Sequence, residues 1–246
     1  MSRVAIIQSS YIPWRGYFGA IAACETFVFF DSVQFTRRDW RTRNTIKTAQ
    51  GVHWLSVPVA QKGHYHTPIY QIRVAEPGWW RAHLKTIEMS YRRAAHFDEV
   101  FPFVAGLFEA TDTQELLSEI NMGMTAAICA RLGIQTRLLR DVDILPAEEM
   151  AAMDPTVRLA KLCSAVGANV YLSGPAAKTY LDERVFHEVG AEVEWINYQR
   201  FAAPYAQLWG EFAPAVSIID TLLNAGFDQT RRILYSDNGA AIQSAS

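Results

Sequence analysis

Two strand-to-helix junctions carry side chains suited to binding an anion or a polar ligand. The first runs from Tyr11 to Tyr17 (YIPWRGY) after an apolar stretch, and the second from Ser173 to Lys178 (SGPAAK). Ligands of open parallel sheets bind beyond the carboxyl ends of the strands, where helix N-termini favour phosphates. Gly16 would let the backbone approach such a group. Because ordinary βα turns also use Pro and Gly, the pattern alone leaves binding and a plain turn both open.

An arginine-rich segment follows the second predicted strand. Its five cations accompany one acid, Asp39, and are Arg37, Arg38, Arg41, Arg43 and Lys47. Arginine recognises phosphate and carboxylate by bidentate hydrogen bonds. A run of charge is usually a solvated face, but the interleaved Gln34, Trp40 and Asn44 favour a binding loop.

Three groups could accept a proton. Asp31 ends the second predicted strand, and His64 and His66 lie in a polar loop. Imidazole titrates near neutrality, so either histidine could act as a general base. The histidine pair is compatible with a metal, but no third ligand is evident, and no metal site is predicted. No cofactor is firmly implied, whereas ATP or a nucleotide sugar fits as a substrate.

The order of the predicted elements indicates an α/β protein. Apolar runs at 4–7, 26–30, 169–172 and 193–198 predict buried strands, and shorter strands are expected at 54–59, 69–74 and 135–139. Helical spacing covers 79–93, 101–110 and 113–132, and further helices are expected at 180–189 and at 217–225, the last ending at Gly226. Asp154 and Pro155 predict a helix start. We expect a single domain over 1–246 with a Rossmann-like parallel sheet. Residues 79–133 would form a mainly helical insertion or lid, and 236–246 a loose tail.

Composition excludes several classes of protein. Half of the 246 residues are hydrophobic and the formal net charge is −2, which argues against a general nucleic-acid coat. Cys24, Cys129 and Cys163 are too widely spaced to suggest a zinc site or a disulfide framework. No signal peptide or membrane span is recognisable, so a cytoplasmic location is expected. Asp220 lies in an apolar helix and needs a hydrogen-bonding partner, such as backbone or an arginine.

These motifs together resemble the WbqC-like family, bacterial proteins often encoded with genes for surface polysaccharide (O-antigen) biosynthesis. The matching stretches are Gln8-x-x-Tyr-x-Pro-Trp-x-Gly-Tyr17, Phe30-Asp-x-Val-Gln34, Trp40-x-x-Arg-Asn44, Trp54-Leu-x-Val-Pro58, Tyr171-Leu-Ser-Gly-Pro175 and Ser217-Ile-x-Asp220. They span nearly the whole chain. The resemblance implies a role near activated sugars, with acyl or aminoacyl transfer to an amino sugar as the expected chemistry.

A weaker similarity links the chain to the adenylyl-transferring superfamily that includes pantothenate synthetase. That superfamily places a His-x-Gly-His motif after its first strand, where this sequence has Trp14-Arg-Gly-Tyr17. Its late Ser-rich loop is similar to the segment from Ser173 to Leu181. The similarity makes the two junctions two sides of one site. Because both motif histidines are replaced, adenylyl transfer by the usual route is in doubt.

The sequence therefore favours a transferase that acts on a nucleotide-activated amino sugar or a similar small metabolite. An ATP-dependent adenylate-forming ligase and a non-catalytic binding or scaffold protein are the alternatives. The arginine-rich loop could also hold a tRNA, although the net charge gives no support, and the oligomeric state is open. The expected catalytic residues are Asp31, His64, His66 and Lys178. The expected binding residues are Gln8, Tyr11, Trp14, Gly16, Tyr17, Gln34, Arg38, Trp40, Arg43, Asn44, Ser173 and Gly174.

Overall fold

A computed structural model describes residues 1–60, 66–235 and 242–244. Its strands are β1 Arg3–Ile7, β2 Thr26–Phe29, β3 Arg43–Thr48, β4 Gly51–Ser56, β5 Arg137–Arg140, β6 Val170–Ser173, β7 Glu192–Ile196 and β8 Ile242–Ser244. Its α-helices are α1 Arg15–Ala22, α2 Trp80–Tyr91, α3 Phe97–Glu109, α4 Leu117–Arg131, α5 Ala147–Ala152, α6 Pro155–Ala165, α7 Glu183–Glu188 and α8 Ile218–Tyr235.

The central sheet has the order β5-β2-β1-β6-β7-β8. Its first five strands are parallel, and β8 joins the edge antiparallel to β7. This confirms the predicted α/β fold with a parallel sheet. The chain leaves β1 toward β2 on one side and later enters β6 on the other side. The boundary between β1 and β6 is therefore the point where the strand order reverses.

The strands are apolar because both faces of the sheet are covered. Ala5 and Phe27 pack into one hydrophobic cluster, and their neighbours Val4 and Val28 pack into another. All four are fully buried. Alternation along a strand sends successive side chains to opposite faces, so continuous apolar runs are needed here.

Helix termini follow the local sequence signals. Asp154 accepts a hydrogen bond from the backbone N–H of Thr156 at 2.8 Å, and Pro155 occupies the first helical position, as predicted. Gly226 has φ of 75° and interrupts α8, which resumes and continues to Tyr235. A Cβ at Gly226 would also meet the ring of His96. The predicted stop at Gly226 is thus a break within a longer helical segment.

Several elements differ from the sequence prediction. The arginine-rich segment was expected to be a loop, but its second half forms β3, which pairs antiparallel with β4. The strand expected at 69–74 is a 3₁₀ helix over Ile69–Gln71. The helix expected from Tyr180 is shortened to α7, and a 3₁₀ helix covers Pro175–Thr179. At 69–71, Pro68 fixes the backbone that precedes the turn, and three residues close a single tight 3₁₀ turn.

Three α-helices, α2 to α4, occupy the segment that was expected to be mainly helical. Its role as an insertion or lid stays a prediction. Of the tail expected over 236–246, only 242–244 fall within the described residues, and they form β8. No helix in the described ranges combines the length and apolar character that crossing a membrane requires.

Candidate functional site

A cavity of about 310 Å³ opens at the carboxyl ends of β1 and β6, beside the strand-order reversal. Gln8 follows β1, Ser173 and Gly174 end and follow β6, and Tyr198 lies just beyond β7. Tyr180, which is 63% exposed, also lines the cavity. Three neighbouring strand ends thus contribute to one pocket, here called the switch-point lobe. Open α/β sheets bind ligands at this place in the fold.

A second cavity of about 310 Å³ adjoins the first. Aromatic rings and polar groups line it, and these are Ser10, Trp14, Tyr17, Trp40, Arg41 and Asn44. We call it the aromatic lobe. Ile7 lines both cavities, and the rings of Trp14 and Tyr198 lie 5.7 Å apart where they meet. The two lobes together form the crevice.

The first turn is held in place by Asn44. Its side-chain Nδ2 donates hydrogen bonds to the carbonyl oxygens of Tyr11 and Ile12, both at 3.1 Å. These bonds fix a backbone whose Ile12 has a positive φ of 35°. The hydroxyl of Tyr11 is hydrogen-bonded to Nδ1 of His83 at 2.7 Å, and Tyr11 is fully buried. Asn44 therefore both shapes and lines the crevice, whereas Tyr11 anchors its wall from behind.

Gly16 has a use other than the expected approach of a ligand. A Cβ at Gly16 would overlap the indole of Trp14, which folds back over the start of α1 and lines the aromatic lobe. Tyr17 donates a hydrogen bond from its hydroxyl to the carbonyl oxygen of Gln8 at 3.0 Å. Burial raises the pKa of Tyr17 well above its ordinary value, so this hydroxyl stays protonated.

Several polar groups in the crevice lack partners within the described part of the chain. Arg41 is buried, and its Nε has no hydrogen-bond acceptor. Its guanidinium lies 3.7 Å from the carboxylate of Asp39. Burial raises the pKa of Asp39, but a hydrogen bond from Thr36 and the charge of Arg41 outweigh burial, so that the pKa is lowered overall. Among the described residues, no hydrogen bond engages the side chains of Gln8 or Ser10. A buried donor without a partner costs about 1–3 kcal/mol, which a bound ligand could offset.

Asp31 is buried and engaged in structural contacts. Its carboxylate accepts hydrogen bonds from the backbone N–H of Ser9 at 2.8 Å and from the hydroxyl of Ser118. It therefore ties the end of β1 to α4, and it does not line either lobe. The structure places this predicted catalytic group behind the crevice wall.

Other predicted residues lie away from the crevice lining. Lys178 is exposed, with its amino group 5.1 Å from the centre of the Trp195 ring. Gln34, Arg38 and His66 are exposed in loops. Arg43 lies over the ring of Trp54, on the β3–β4 hairpin, at 4.3 Å. His64 falls outside the described residues.

The lining includes residues that were not among the expected binding residues. Tyr198 and Phe30 each follow a strand of the parallel sheet, so the rule of strand ends could have placed them here. Phe30 was named only within a stretch that carries the family resemblance, and no binding role was predicted for Ser10 or Tyr180. Within the described ranges, neither lobe is lined by a carboxylate or an imidazole, and no cluster of three or more potential metal ligands occurs.

A second polar cluster is centred on Asp220, in α8. Its carboxylate accepts hydrogen bonds from the Tyr91 hydroxyl at 2.6 Å, from the Tyr205 hydroxyl and from the Gln207 amide at 2.7 Å. Gln207 in turn accepts from the amino group of Lys47 at 2.8 Å. Burial raises the pKa of Asp220. We call these residues the Asp220 network. Its partners are tyrosines and an amide, rather than the backbone or arginine partner that the sequence suggested.

The family model for the WbqC-like protein family matches residues 8–232, which include the Asp220 network and all lining residues of the two lobes except Ile6 and Ile7. The chain belongs to the WbqC-like family. An uncharacterized protein of Mycobacterium tuberculosis, Rv1507c, is 43% identical over 235 residues, covering 96% of this chain and 99% of the relative. No solved structure is significantly similar to this WbqC-like protein.

Proposed function

We propose that this WbqC-like protein is a transferase that binds a nucleotide-activated amino sugar, or a similar small metabolite, in the crevice. The transferred group would be acyl or aminoacyl, in the biosynthesis of a surface polysaccharide or a natural product. The observation that carries the proposal is the pair of joined cavities at the strand-order reversal, lined by aromatic rings and partnerless polar groups.

The crevice suits a ligand of two parts. Each lobe, at about 310 Å³, lies at the lower end of the range for small-molecule sites, about 300–1,000 Å³. Amide and hydroxyl groups of Gln8, Ser10 and Ser173 match the hydroxyls of a sugar. Arg41 matches a phosphate, because it lines the aromatic lobe and its guanidinium forms only a long contact of 3.7 Å with Asp39.

The reaction needs a proton acceptor. An amine that attacks a carbonyl carbon forms the new C–N bond, expels the leaving group of the donor and must release a proton. In the proposal the acceptor is His64 or His66. His66 lies near the arginine-rich segment, since Pro68 forms a bridge with Gln34. Asp31 is a weaker choice, because its carboxylate already accepts two hydrogen bonds.

Thermal-shift screening with nucleotides and nucleotide sugars tests the binding step. A ligand at a hundredfold excess over its Kd should stabilise the fold by about 2.7 kcal/mol. Arg41→Ala should then weaken binding by about 1.5–3 kcal/mol, if it makes a charged hydrogen bond. The exposed Arg92→Ala is the matched control and should bind like the wild type. Equal affinities for the two variants would remove Arg41 from the site.

Mass spectrometry tests the chemistry. Incubation of a bound amino sugar nucleotide with acyl and aminoacyl donors should add the mass of the transferred group, and either the His64→Ala or the His66→Ala variant should slow this step without weakening binding. Turnover that is unaffected in both the His64→Ala and the His66→Ala variants would exclude these histidines as the base.

A non-catalytic nucleotide-sugar binding protein is the second candidate. It is favoured by the lining of both lobes, which among the described residues has no carboxylate or imidazole. Binding without turnover, across donors of both classes, would decide for it. The ATP-dependent ligase is less well supported, because Trp14 and Tyr17 present aromatic rings where such enzymes need groups that stabilise phosphate charge.

A further inference from the structure

We propose that an exposed shelf made of Trp40, Trp54 and Arg43 binds the nucleobase of the nucleotide, outside the mouth of the aromatic lobe. This inference rests on the proposed function and adds to it the orientation of the ligand. The sugar would occupy the lobes, the phosphates would lie near the arginines, and the base would stack on the shelf.

Trp40 connects the shelf to the crevice. It lines the aromatic lobe, yet 45% of its surface is exposed. Trp54, in β4, is 43% exposed, and its ring centroid lies 5.5 Å from that of Trp40 at an interplanar angle of 33°. Two large aromatic side chains therefore stay open to solvent directly beside a cavity. Aromatic side chains that stay exposed together typically mark a binding site, whereas aromatic side chains of the core are buried.

Hairpin pairing holds the shelf in position. Trp54 pairs across the hairpin with Thr45, which is buried, and Arg43 pairs with Ser56. Residues 43, 45 and 54 share one face of the hairpin, because side chains alternate along each strand. The guanidinium of Arg43 lies 4.3 Å from the centre of the Trp54 ring. The backbone thus fixes the position of the indole, and Arg43 covers part of it.

Charge beside the shelf identifies where phosphates would lie. The Nε atoms of Arg41 and Arg43 are both buried and lack a hydrogen-bond partner among the described residues. Arg41 lines the aromatic lobe, and Arg43 belongs to the shelf. A diphosphate that passes from the lobe to the shelf would lie beside the side chains of both arginines. Charge complementarity therefore favours an anionic linker between the parts of the ligand.

The chemistry of the two places separates sugar from base. A sugar ring carries hydroxyls that need hydrogen-bond partners, and the lobes supply them through Ser10, Gln8 and Ser173. The shelf offers mainly indole faces, which suit a flat base. Stacking of a base on an aromatic side chain is worth about 1–3 kcal/mol.

Calorimetry with the full chain tests the shelf, using UDP-N-acetylglucosamine, dTDP-glucose and GDP-mannose as probes. Trp54→Ala should weaken the tightest of the three about 5- to 150-fold, which is the range that stacking predicts. Trp54→Phe keeps an aromatic ring and should recover most of the affinity. Val52→Ala, an exposed change in the same strand, should bind within about twofold of the wild type.

Saturation-transfer NMR with the same probe identifies which part of the ligand touches the shelf. Saturation of protein protons should reach the base protons in the wild type and decline there in Trp54→Ala, while the sugar protons keep their signal. An unchanged affinity for Trp54→Ala, or a loss confined to sugar protons, would overturn the shelf and leave the proposed function standing. If none of the three probes binds the wild type, the proposed function fails together with the shelf.

Discussion

The Asp220 network and the crevice are both polar groups set into an apolar interior, but they differ in how completely their hydrogen bonds are made. The Asp220 carboxylate accepts from three side chains, and Gln207 also accepts from Lys47. In the described part of the crevice, by contrast, the buried Nε of Arg41 has no hydrogen-bond partner.

This difference distinguishes polar groups that stabilise the fold from polar groups that a ligand can bind. A buried polar group usually finds a partner within the protein, because leaving it unpaired costs about 1–3 kcal/mol. Groups that remain unpaired beside a cavity are therefore the ones a ligand can satisfy. Both regions contain Tyr, Gln and charged residues, so residue type alone would not distinguish them.

Removal of the Asp220 carboxylate is the strongest test of the Asp220 network. Asp220→Ala would leave two tyrosine hydroxyls, one buried and one part-buried, and one amide without their acceptor, so we expect the free energy of unfolding to fall by about 3–5 kcal/mol. Urea denaturation measures this loss. Asp228→Ala changes an exposed carboxylate on the same helix and should cost no more than about 0.5 kcal/mol. Similar losses in the two variants would mean that the network is not a stabilising unit.

The pH dependence of stability tests the contact of His83, in α2, with Tyr11 behind the crevice wall. Burial lowers the pKa of His83 from 6.5 to about 4. Between these values the unfolded chain binds a proton that the folded chain does not, so stability is lost as pH falls from 6.5 to 4. The contribution is at most about 3 kcal/mol. His83→Gln should therefore lose less stability than the wild type between pH 7 and 4.5 in urea denaturation.

The control for this pH effect is His187→Gln, which alters an exposed histidine. Its loss of stability over the same pH interval should match that of the wild type. A His83→Gln variant that keeps the full wild-type pH dependence would show that His83 does not contribute through its protonation.

Gly16 tests whether the crevice wall depends on the position of Trp14. Gly16→Ala would place a methyl group inside the indole ring, so we expect a loss of about 1–3 kcal/mol and a changed tryptophan fluorescence. Gly123→Ala lies in α4 with open space around its Cβ and should stabilise by up to about 1 kcal/mol. Two variants that shift in the same direction would contradict the packing described for Trp14.

The parallel sheet could be predicted from the sequence, but β3 and its pairing with β4 could not. The central strands β1, β2 and β6 are largely apolar runs, because both of their faces are buried. β3 instead reads RNTIKT, and its polar residues are buried by distant partners. Asn44 bonds to the turn at Tyr11, and Lys47 bonds to Gln207. Such partners are not visible in a local pattern, so this segment was predicted to be a binding loop.

The location of the site was more predictable than the roles of its residues. The rule of strand ends brought Gln8, Trp14, Ser173 and Gly174 to one crevice, as the two junctions suggested. The same rule could not tell which way a side chain turns after a strand. Asp31 turns back to the N–H of Ser9 and supports the wall instead of facing the crevice.

Hydrogen-exchange mass spectrometry, with and without the nucleotide sugar that gives the largest thermal shift, tests most directly whether the crevice is the ligand site. We expect slower exchange at 8–17 and at 173–180 together, with little change at 219–226 around Asp220. Protection confined to 219–226, or no change at either strand end under saturating ligand, would contradict this expectation.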